Sequence, residues 1–232
     1  MDSEERRPEL SRLLGDEEPH IKTVGVDFAV KVVKTRDGRR IKLQIWSLNG
    51  SGSFDHIRGL YYKNSLGAIF LYFVSKQHTG SYDIRHLRKL MTEYNKVCGT
   101  DTPKILVTIL KGSWPDVSSA SGRRGSRAII NSVMDLPVDL SDVDRKAIAG
   151  LVNEESKTKM IVVDPFEVGG FTFVLEELAA DITDFAKSLN GDTYSKSNAG
   201  SRNYDALYKV VLMGDENGFC FKLPIRSSKA EL

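Results

Sequence analysis

The chain has 232 residues, of which 41% are hydrophobic and 28% are charged, so it can form a globular core and is not disordered as a whole. Its 33 basic and 31 acidic residues give a net charge of +2, which offers no general argument for nucleic-acid binding. No apolar run approaches the length that spans a bilayer, and the charged N-terminal residues do not resemble a secretory signal. Two cysteines, Cys98 and Cys220, cannot form a disulfide framework, so we expect a cytoplasmic protein.

The first predicted elements form a β-hairpin. Apolar residues recur at every second position over 26–32, which is typical of a half-buried strand. Asp37-Gly38 then supplies a turn, because glycine adopts positive φ angles without steric cost. The alternation resumes over 40–46, so the two strands are predicted to be antiparallel neighbours.

Four more strands are predicted from nearly continuous apolar runs, which are typical of strands covered on both faces. These runs are 66–74, 104–110, 159–163 and 207–213. Apolar residues at helical spacing occur between or after them, over 84–97, 143–152 and 174–189. Such alternation predicts an α/β fold with a mostly parallel, six-stranded sheet.

Two segments are predicted to lack regular structure within what we expect to be a single domain over 1–232. Residues 118–127 are small, polar and basic, and we expect a mobile surface loop. Residues 190–203 have the composition of a flexible linker.

Three segments together resemble a Rab-type small GTPase of the Ras superfamily. They are TVGVDF (23–28), KLQIW (42–46) and GLYYKNSLGAIFLY (59–72), which resemble the first switch and its strand, the strand entering the second switch, and the helix-to-strand passage after it. TFVLEELAADI (172–182) is similar to the family's last helix. The resemblance implies a Ras-like G-domain fold, with helices on both faces of the sheet.

One segment resembles the family out of order. Residues 203–218 resemble the start of a Rab, where the first strand enters the phosphate loop, although here they are close to the C-terminus. The family's sheet has that strand at its centre, and an empty central slot would leave buried backbone groups unpaired. We therefore expect a circular permutation, in which the linker 190–203 leads to a central strand at 207–213 between 40–46 and 66–74. The alternative is a truncated tandem copy or a faulty gene model.

The phosphate-loop counterpart departs from the family's pattern of a glycine, a lysine and a serine or threonine. Those positions hold Phe219, Cys220 and Phe221, which supply neither the lysine charge nor the hydroxyl ligand for magnesium. The remaining residues that match the family's nucleotide site are Thr23, Gly50, Gly214, Asp215 and Gly218.

Other nucleotide contacts of the family are also replaced. Ser47 stands at the aspartate of the D-x-x-G motif, and Ser51 stands at the glutamine that orients water. The segment ILKG (109–112) follows the strand where a guanine-reading N-K-x-D is expected, and Asp164-Pro165-Phe166 replaces the late S-A-K loop. These losses predict a protein without GTP, GDP or magnesium as cofactor, without catalytic residues and without a metal site.

The sequence therefore favours a Rab-like pseudo-GTPase that serves as a protein-interaction module, and leaves GTPase activity open. The resemblance implies a partner surface at Phe28, Trp46 and Tyr61, which match the aromatic trio that Rabs present to effectors. Packing in the core is the alternative role for these rings. The chain ends without the prenylation cysteines usual in Rabs. The alternative function is a divergent small GTPase that still binds GTP or GDP and acts as a switch in vesicle trafficking.

Overall fold

The computed structural model describes residues 25–75, 81–111, 127–130, 142–154, 157–163, 170–190 and 203–214. These residues contain seven strands of one sheet and four α-helices. The strands are β1 (Val26–Lys34), β2 (Arg40–Leu48), β3 (Gly67–Ser75), β4 (Lys104–Lys111), β5 (Arg127–Ile130), β6 (Thr158–Val163) and β7 (Ala206–Met213). The helices are α1 (Asp55–Tyr62), preceded by the 3-10 turn Gly52–Phe54, α2 (Ser81–Cys98), α3 (Asp142–Glu154) and α4 (Gly170–Asn190).

The last strand in the chain lies inside the sheet. The strand order is β1-β2-β7-β3-β4-β6-β5. β7 pairs in parallel with β2, where Ile45 faces Val210, and in parallel with β3, where Gly67 also faces Val210. The predicted position of 207–213, between 40–46 and 66–74, is therefore confirmed.

Helices cover both faces of the sheet because side chains alternate along each strand. On one face, Ile69 and Leu71 of β3 join a core with Leu178 and Ile182 of α4. On the other face, Ala68, Phe70 and Tyr72 of β3 pack with residues of α1, α2 and α3. The predicted α/β fold, with its mostly parallel sheet, is confirmed.

One edge of the sheet has a strand that was not predicted, and the other edge is the predicted hairpin. The six predicted strands are present, and β5 adds a seventh, which pairs antiparallel with β6. Arg127, predicted as the end of a mobile loop, begins this strand, while 118–126 lie outside the described residues. The hairpin of β1 and β2 is antiparallel as predicted, and its turn contains Gly38 at φ +86°.

Candidate functional site

The carboxyl ends of the central parallel strands form the edge where open α/β sheets bind ligands. β2 ends here with Ser47 and Leu48 and continues into Asn49 and Gly50, all of them buried. β7 ends beside it at Met213, and the following Gly214 is also buried. Two glycines thus follow neighbouring strands at one edge of the sheet, and glycine backbone is what phosphate groups approach closely in phosphate-binding loops.

The loop Asn49–Ser51, which follows β2, is hydrogen-bonded to the protein through its backbone donors. The N–H of Asn49 donates to the carbonyl oxygen of Gly25, at 2.9 Å. The N–H of Ser51 donates to the side-chain oxygen of Asn49, at 2.8 Å. The Ser51 hydroxyl in turn accepts a hydrogen bond from the N–H of Ser53, so it caps the 3-10 turn that follows.

Arg58 of α1 binds the carbonyl side of the same loop. Its side chain is 1% exposed, and Nη1 donates to the carbonyl oxygens of Asn49 at 3.3 Å, Gly50 at 3.3 Å and Ser51 at 2.8 Å. The other nitrogens bind carboxylates, because Nε and Nη2 donate to Glu93 of α2, at 3.2 and 3.0 Å. We call these contacts, together with the ion pair between Arg58 and Asp55, the Arg58 network.

In the Arg58 network, oppositely charged side chains stabilise the ionised forms of Arg58 and Asp55. Burial lowers the pKa of Arg58, but hydrogen bonds to Glu93 and Asp55 outweigh burial and hold it above its ordinary value. Burial raises the pKa of Asp55, but hydrogen bonds from Lys89 and Arg58 outweigh it and hold the pKa below the ordinary value. A guanidinium removed from water is tolerated only when its donors are paired, and here each of its three nitrogens has an acceptor.

Three aromatic side chains that the sequence singled out lie together on β1, β2 and α1. Phe28 of β1 faces Trp46 of β2 across the antiparallel pair, with ring centroids 4.8 Å apart. Tyr61 of α1 lies on the other side of Trp46, with centroids 5.5 Å apart. Phe28 is 45% exposed, whereas Trp46 and Tyr61 are half-buried and pack against the core. We call Phe28, Trp46 and Tyr61 the aromatic surface.

Two polar groups distinguish the aromatic surface from ordinary core packing. The ammonium of Lys209 on β7 lies 5.5 Å from the centroid of the Trp46 ring, which is within cation–π range. Burial lowers the pKa of Lys209. The indole Nε1 of Trp46 is buried without a hydrogen-bond partner among the described residues. An unpaired buried donor costs about 1–3 kcal/mol, so this ring carries a polar group that its packing leaves unsatisfied.

The structure describes only part of the predicted nucleotide site. Gly50 and Gly214 lie at the carboxyl edge, at the ends of β2 and β7. The other predicted remnants, Thr23, Asp215 and Gly218, lie outside the described residues. So do Gly112 of the segment expected to read guanine and the whole of 164–166, while Ile109–Lys111 belong to β4.

Arg58 is the site residue that sequence reasoning missed. No role was predicted for position 58, because the segment that resembles the family begins at Gly59. The available signal was the pair Asp55 and Arg58, three residues apart, in a helix whose other inward-facing residues are apolar. The acceptor Glu93 is 35 residues further along the chain, and only the packing of α1 against α2 shows that it faces Arg58.

Within the part of the chain that the structure describes, no helix is long and apolar enough to cross a membrane. The same residues contain no group of three or more histidine, cysteine, aspartate or glutamate side chains that could hold a metal ion. Magnesium in phosphate-binding sites needs few protein carboxylates, because it keeps several waters and binds phosphate oxygens.

Comparisons with known proteins agree with the resemblance. Residues 16–122, a little under half of the chain, match the family model described as Ras family. The chain is 39% identical to human Ras-related protein Rab-12 over 85 residues, which cover 37% of this chain and 33% of that relative. It is 32% identical to Caenorhabditis elegans Ras-related protein rab-39 over 97 residues, 42% of this chain and 41% of the relative. It is 33% identical to maize GTP-binding protein YPTM2 over 88 residues, which cover 38% of this chain and 41% of that relative.

The matches and the fold together support a Ras-superfamily small GTPase. The chain spans about a third to two fifths of the length of these relatives. The expectation of no cofactor is wrong, because the Ras-family match and the Rab relatives point to GTP or GDP with magnesium. That expectation rested on losses in four motifs, and it gave them more weight than the similarity of the matched segment allows.

The described residues fit such a ligand in part. Gly50 and Gly214 supply backbone without a Cβ at adjacent strand ends, and the Ser47 hydroxyl is an oxygen of the kind that magnesium accepts. Ser47 is only 1% exposed, at the same strand end as Gly50. These are the described residues that would hold a nucleotide's phosphates at the edge formed by β2 and β7.

Proposed function

We propose that the chain is a Rab-like, guanine-nucleotide-binding interaction module that binds protein partners through its aromatic surface and hydrolyses GTP slowly or not at all. The observation that carries this proposal is the cluster of Phe28, Trp46 and Tyr61, in which Phe28 is 45% exposed and the other two rings are half-buried. Aromatic anchors in such a position supply much of the binding energy of protein interfaces.

The half-exposed rings favour partner binding over a purely structural role. A core aromatic is normally buried on all sides, whereas Phe28 is 45% exposed although it contacts Trp46. Lys209 adds a positive charge beside the Trp46 ring. We therefore propose a partner that presents an apolar surface with an acidic group at its edge.

Slow hydrolysis follows from the groups around the second-switch counterpart. In this family the water-orienting glutamine places the attacking water, and Ser51 stands at that position. The Ser51 hydroxyl accepts a hydrogen bond from the N–H of Ser53 and is occupied as a cap. Bound magnesium would supply charge stabilisation at the phosphates, and Ser47, Gly50 and Gly214 are the described residues that would hold them. We infer a pseudo-GTPase in the sense that nucleotide is held but not efficiently hydrolysed.

The order of elements in the chain is best explained as a circular permutation. The parallel pairing of β7 with both β2 and β3 supports it, since a truncated tandem copy would not need to complete this sheet. In this proposal, residues 1–232 form one domain, and 190–203 connect α4 to β7. We also propose that the protein works in the cytoplasm in vesicle trafficking, as the Rab resemblance implies.

Equilibrium titration with fluorescently labelled GDP in the presence and absence of magnesium tests this function. We expect saturable, magnesium-dependent binding that unlabelled GTP and GDP reverse and that ATP does not. If neither unlabelled GTP nor unlabelled GDP displaced the labelled GDP, the proposal that the chain binds guanine nucleotides would be wrong. Val211→Ala is a control at the sheet centre, because it tests whether binding responds to general destabilisation.

A further inference from the structure

The Arg58 network joins three parts of the protein. Arg58 lies on α1, its carbonyl acceptors lie in the loop Asn49–Ser51, and its carboxylate partner Glu93 lies on α2. Lys89, one turn before Glu93, also binds Asp55, so α2 holds α1 at two points. A buried guanidinium with paired donors keeps its position, because releasing any acceptor leaves a buried charge without compensation.

The same loop is tied to the start of β1 by a second set of contacts. The Gly25 carbonyl accepts from the Asn49 N–H at 2.9 Å. Gly25 has φ +93°, and a Cβ placed on it would lie 2.6 Å from Cε1 of Phe54. The ring of Phe54 therefore packs directly on the backbone of Gly25, so both ends of the loop are held by protein groups.

The aromatic surface depends on these contacts for its geometry. Tyr61 follows Arg58 by three residues on α1, so the placement of α1 also places the Tyr61 ring beside Trp46. Phe28 follows Gly25 by three residues on the adjoining strand. All three rings are thus attached to elements that the Arg58 network and the Gly25–Phe54 contact hold in place.

We infer that Arg58 is a positioning residue that keeps the loop Asn49–Ser51 and the aromatic surface in one conformation whether GDP or GTP is bound. This inference rests on the proposed function. A ligand shifts a conformational equilibrium only by its difference in affinity for the two states, and here protein contacts hold the loop carbonyls at 49–51. The expected consequence is a partner surface whose affinity does not change with the nucleotide's third phosphate.

Hydrogen exchange of the full chain with magnesium and either GDP or a non-hydrolysable GTP analogue tests this inference. In the wild-type chain, we expect exchange over 47–62 to differ by no more than about twofold between the two nucleotides. In Arg58→Ala, the loop is released, and the difference should exceed about tenfold in the same residues. A merely structural role would speed exchange equally with both nucleotides, which would overturn the inference.

Two further variants keep the test decisive. Glu93→Gln keeps the side-chain shape but removes the countercharge of the buried Arg58, so it should also create a nucleotide-dependent difference if Arg58→Ala does not fold. Arg88→Ala removes an arginine ion pair on the exposed side of α2 and should behave like the wild-type chain. A tenfold nucleotide-dependent difference in the wild-type chain itself would overturn the inference and leave the proposed function intact. No binding of either nucleotide would overturn the proposed function and the inference with it.

Discussion

Gly67 of β3 lies so close to Ile182 of α4 that a Cβ on the glycine would stand 2.6 Å from the Ile182 Cδ1 atom. The glycine pairs with Val210 of β7, so this close approach occurs where the helix crosses the centre of the sheet. Packing in protein interiors resembles that of organic crystals, and a single added methyl group cannot be absorbed without movement. The contact therefore sets how closely α4 packs on β3 and β7.

We predict that Gly67→Ala lowers the free energy of unfolding by about 1–3 kcal/mol, the usual cost of an overpacked core position. Ile182→Val removes the Cδ1 atom and should restore part of the loss in the double variant, because the Leu178 Cδ1 atom still lies 3.2 Å from the added Cβ. Urea unfolding of the two single variants and the double variant measures this coupling. Gly59→Ala is the matched control, because nothing lies within 4 Å of its Cβ position and alanine favours the helix by about 0.5–1 kcal/mol. Equal losses at both glycines would contradict the packing described here.

The central position of β7 predicts a strong effect of truncation. A chain that ends after Asn203 loses the strand between β2 and β3, and buried backbone groups on both neighbours lose their partners. We expect no cooperative thermal transition, as followed by circular dichroism. A fragment 1–203 that melts cooperatively near the temperature of the full chain would show that the sheet does not need β7.

Point substitutions on β7 should lower the free energy of unfolding without abolishing the fold. Val210→Ala should cost about 2 kcal/mol, because Val210 is fully buried and its methyl groups leave a cavity. Leu207→Ala should cost much less, since Leu207 is 42% exposed on the same strand. Unfolding in urea measures both values, and a reversed order would contradict the burial of the strand.

Asp55 predicts a specific dependence of stability on pH. Its pKa in the folded protein lies below the ordinary value of 3.8, because the hydrogen bonds from Lys89 and Arg58 outweigh the effect of burial. A carboxyl with a lowered folded-state pKa stabilises the protein above the unfolded-state pKa, and that stabilisation is lost as pH falls below about 3.8 through the folded-state value. We expect Asp55→Asn to be less stable than the wild-type chain at pH 7, with the difference shrinking toward pH 2. A constant difference between pH 7 and pH 2 in urea unfolding would assign the effect to something other than charge.

The aromatic surface predicts a separation between binding and stability. Phe28→Ala should reduce the free energy of unfolding by at most about 1.5 kcal/mol, since the ring is 45% exposed and its main partner is Trp46. Its affinity for a protein partner isolated from the native source should fall at least about tenfold, the loss expected of an aromatic anchor. Leu189→Ala is the control, because Leu189 is equally apolar, 61% exposed and located on α4. Unchanged affinity of Phe28→Ala in a surface-binding assay would place the partner elsewhere.

The sequence predicted the sheet well because its strongest signals are local. Apolar residues at every second position predicted β1 and β2, and nearly continuous apolar runs predicted β3, β4, β6 and β7. The family resemblance then predicted that β7 lies between β2 and β3, as it does. The short strand β5 was not predicted, because four residues such as Arg127–Ile130 carry too little periodicity. Its identity as a strand depends on pairing with β6, which is a contact between distant parts of the chain.

The candidate site was predicted less completely for a related physical reason. Phe28, Trp46 and Tyr61 were found because the family resemblance marked them, and the structure brings their rings together. Arg58 was missed because its role arises from a partner on another helix and from three loop carbonyls, none of which has a sequence signature. The cofactor prediction was wrong because it relied on four motif losses taken together, whereas the matched segment as a whole resembles GTP-binding relatives.

A single-turnover assay with radiolabelled GTP tests the central claim most directly, because it measures retained nucleotide and released phosphate on the same sample. The proposed function predicts magnesium-dependent retention of GTP on the protein, with conversion to GDP slower than about 10⁻⁴ per second, below the range of unassisted Ras proteins. Phosphate release at or above that intrinsic rate, or no GTP retained with magnesium present, would contradict it.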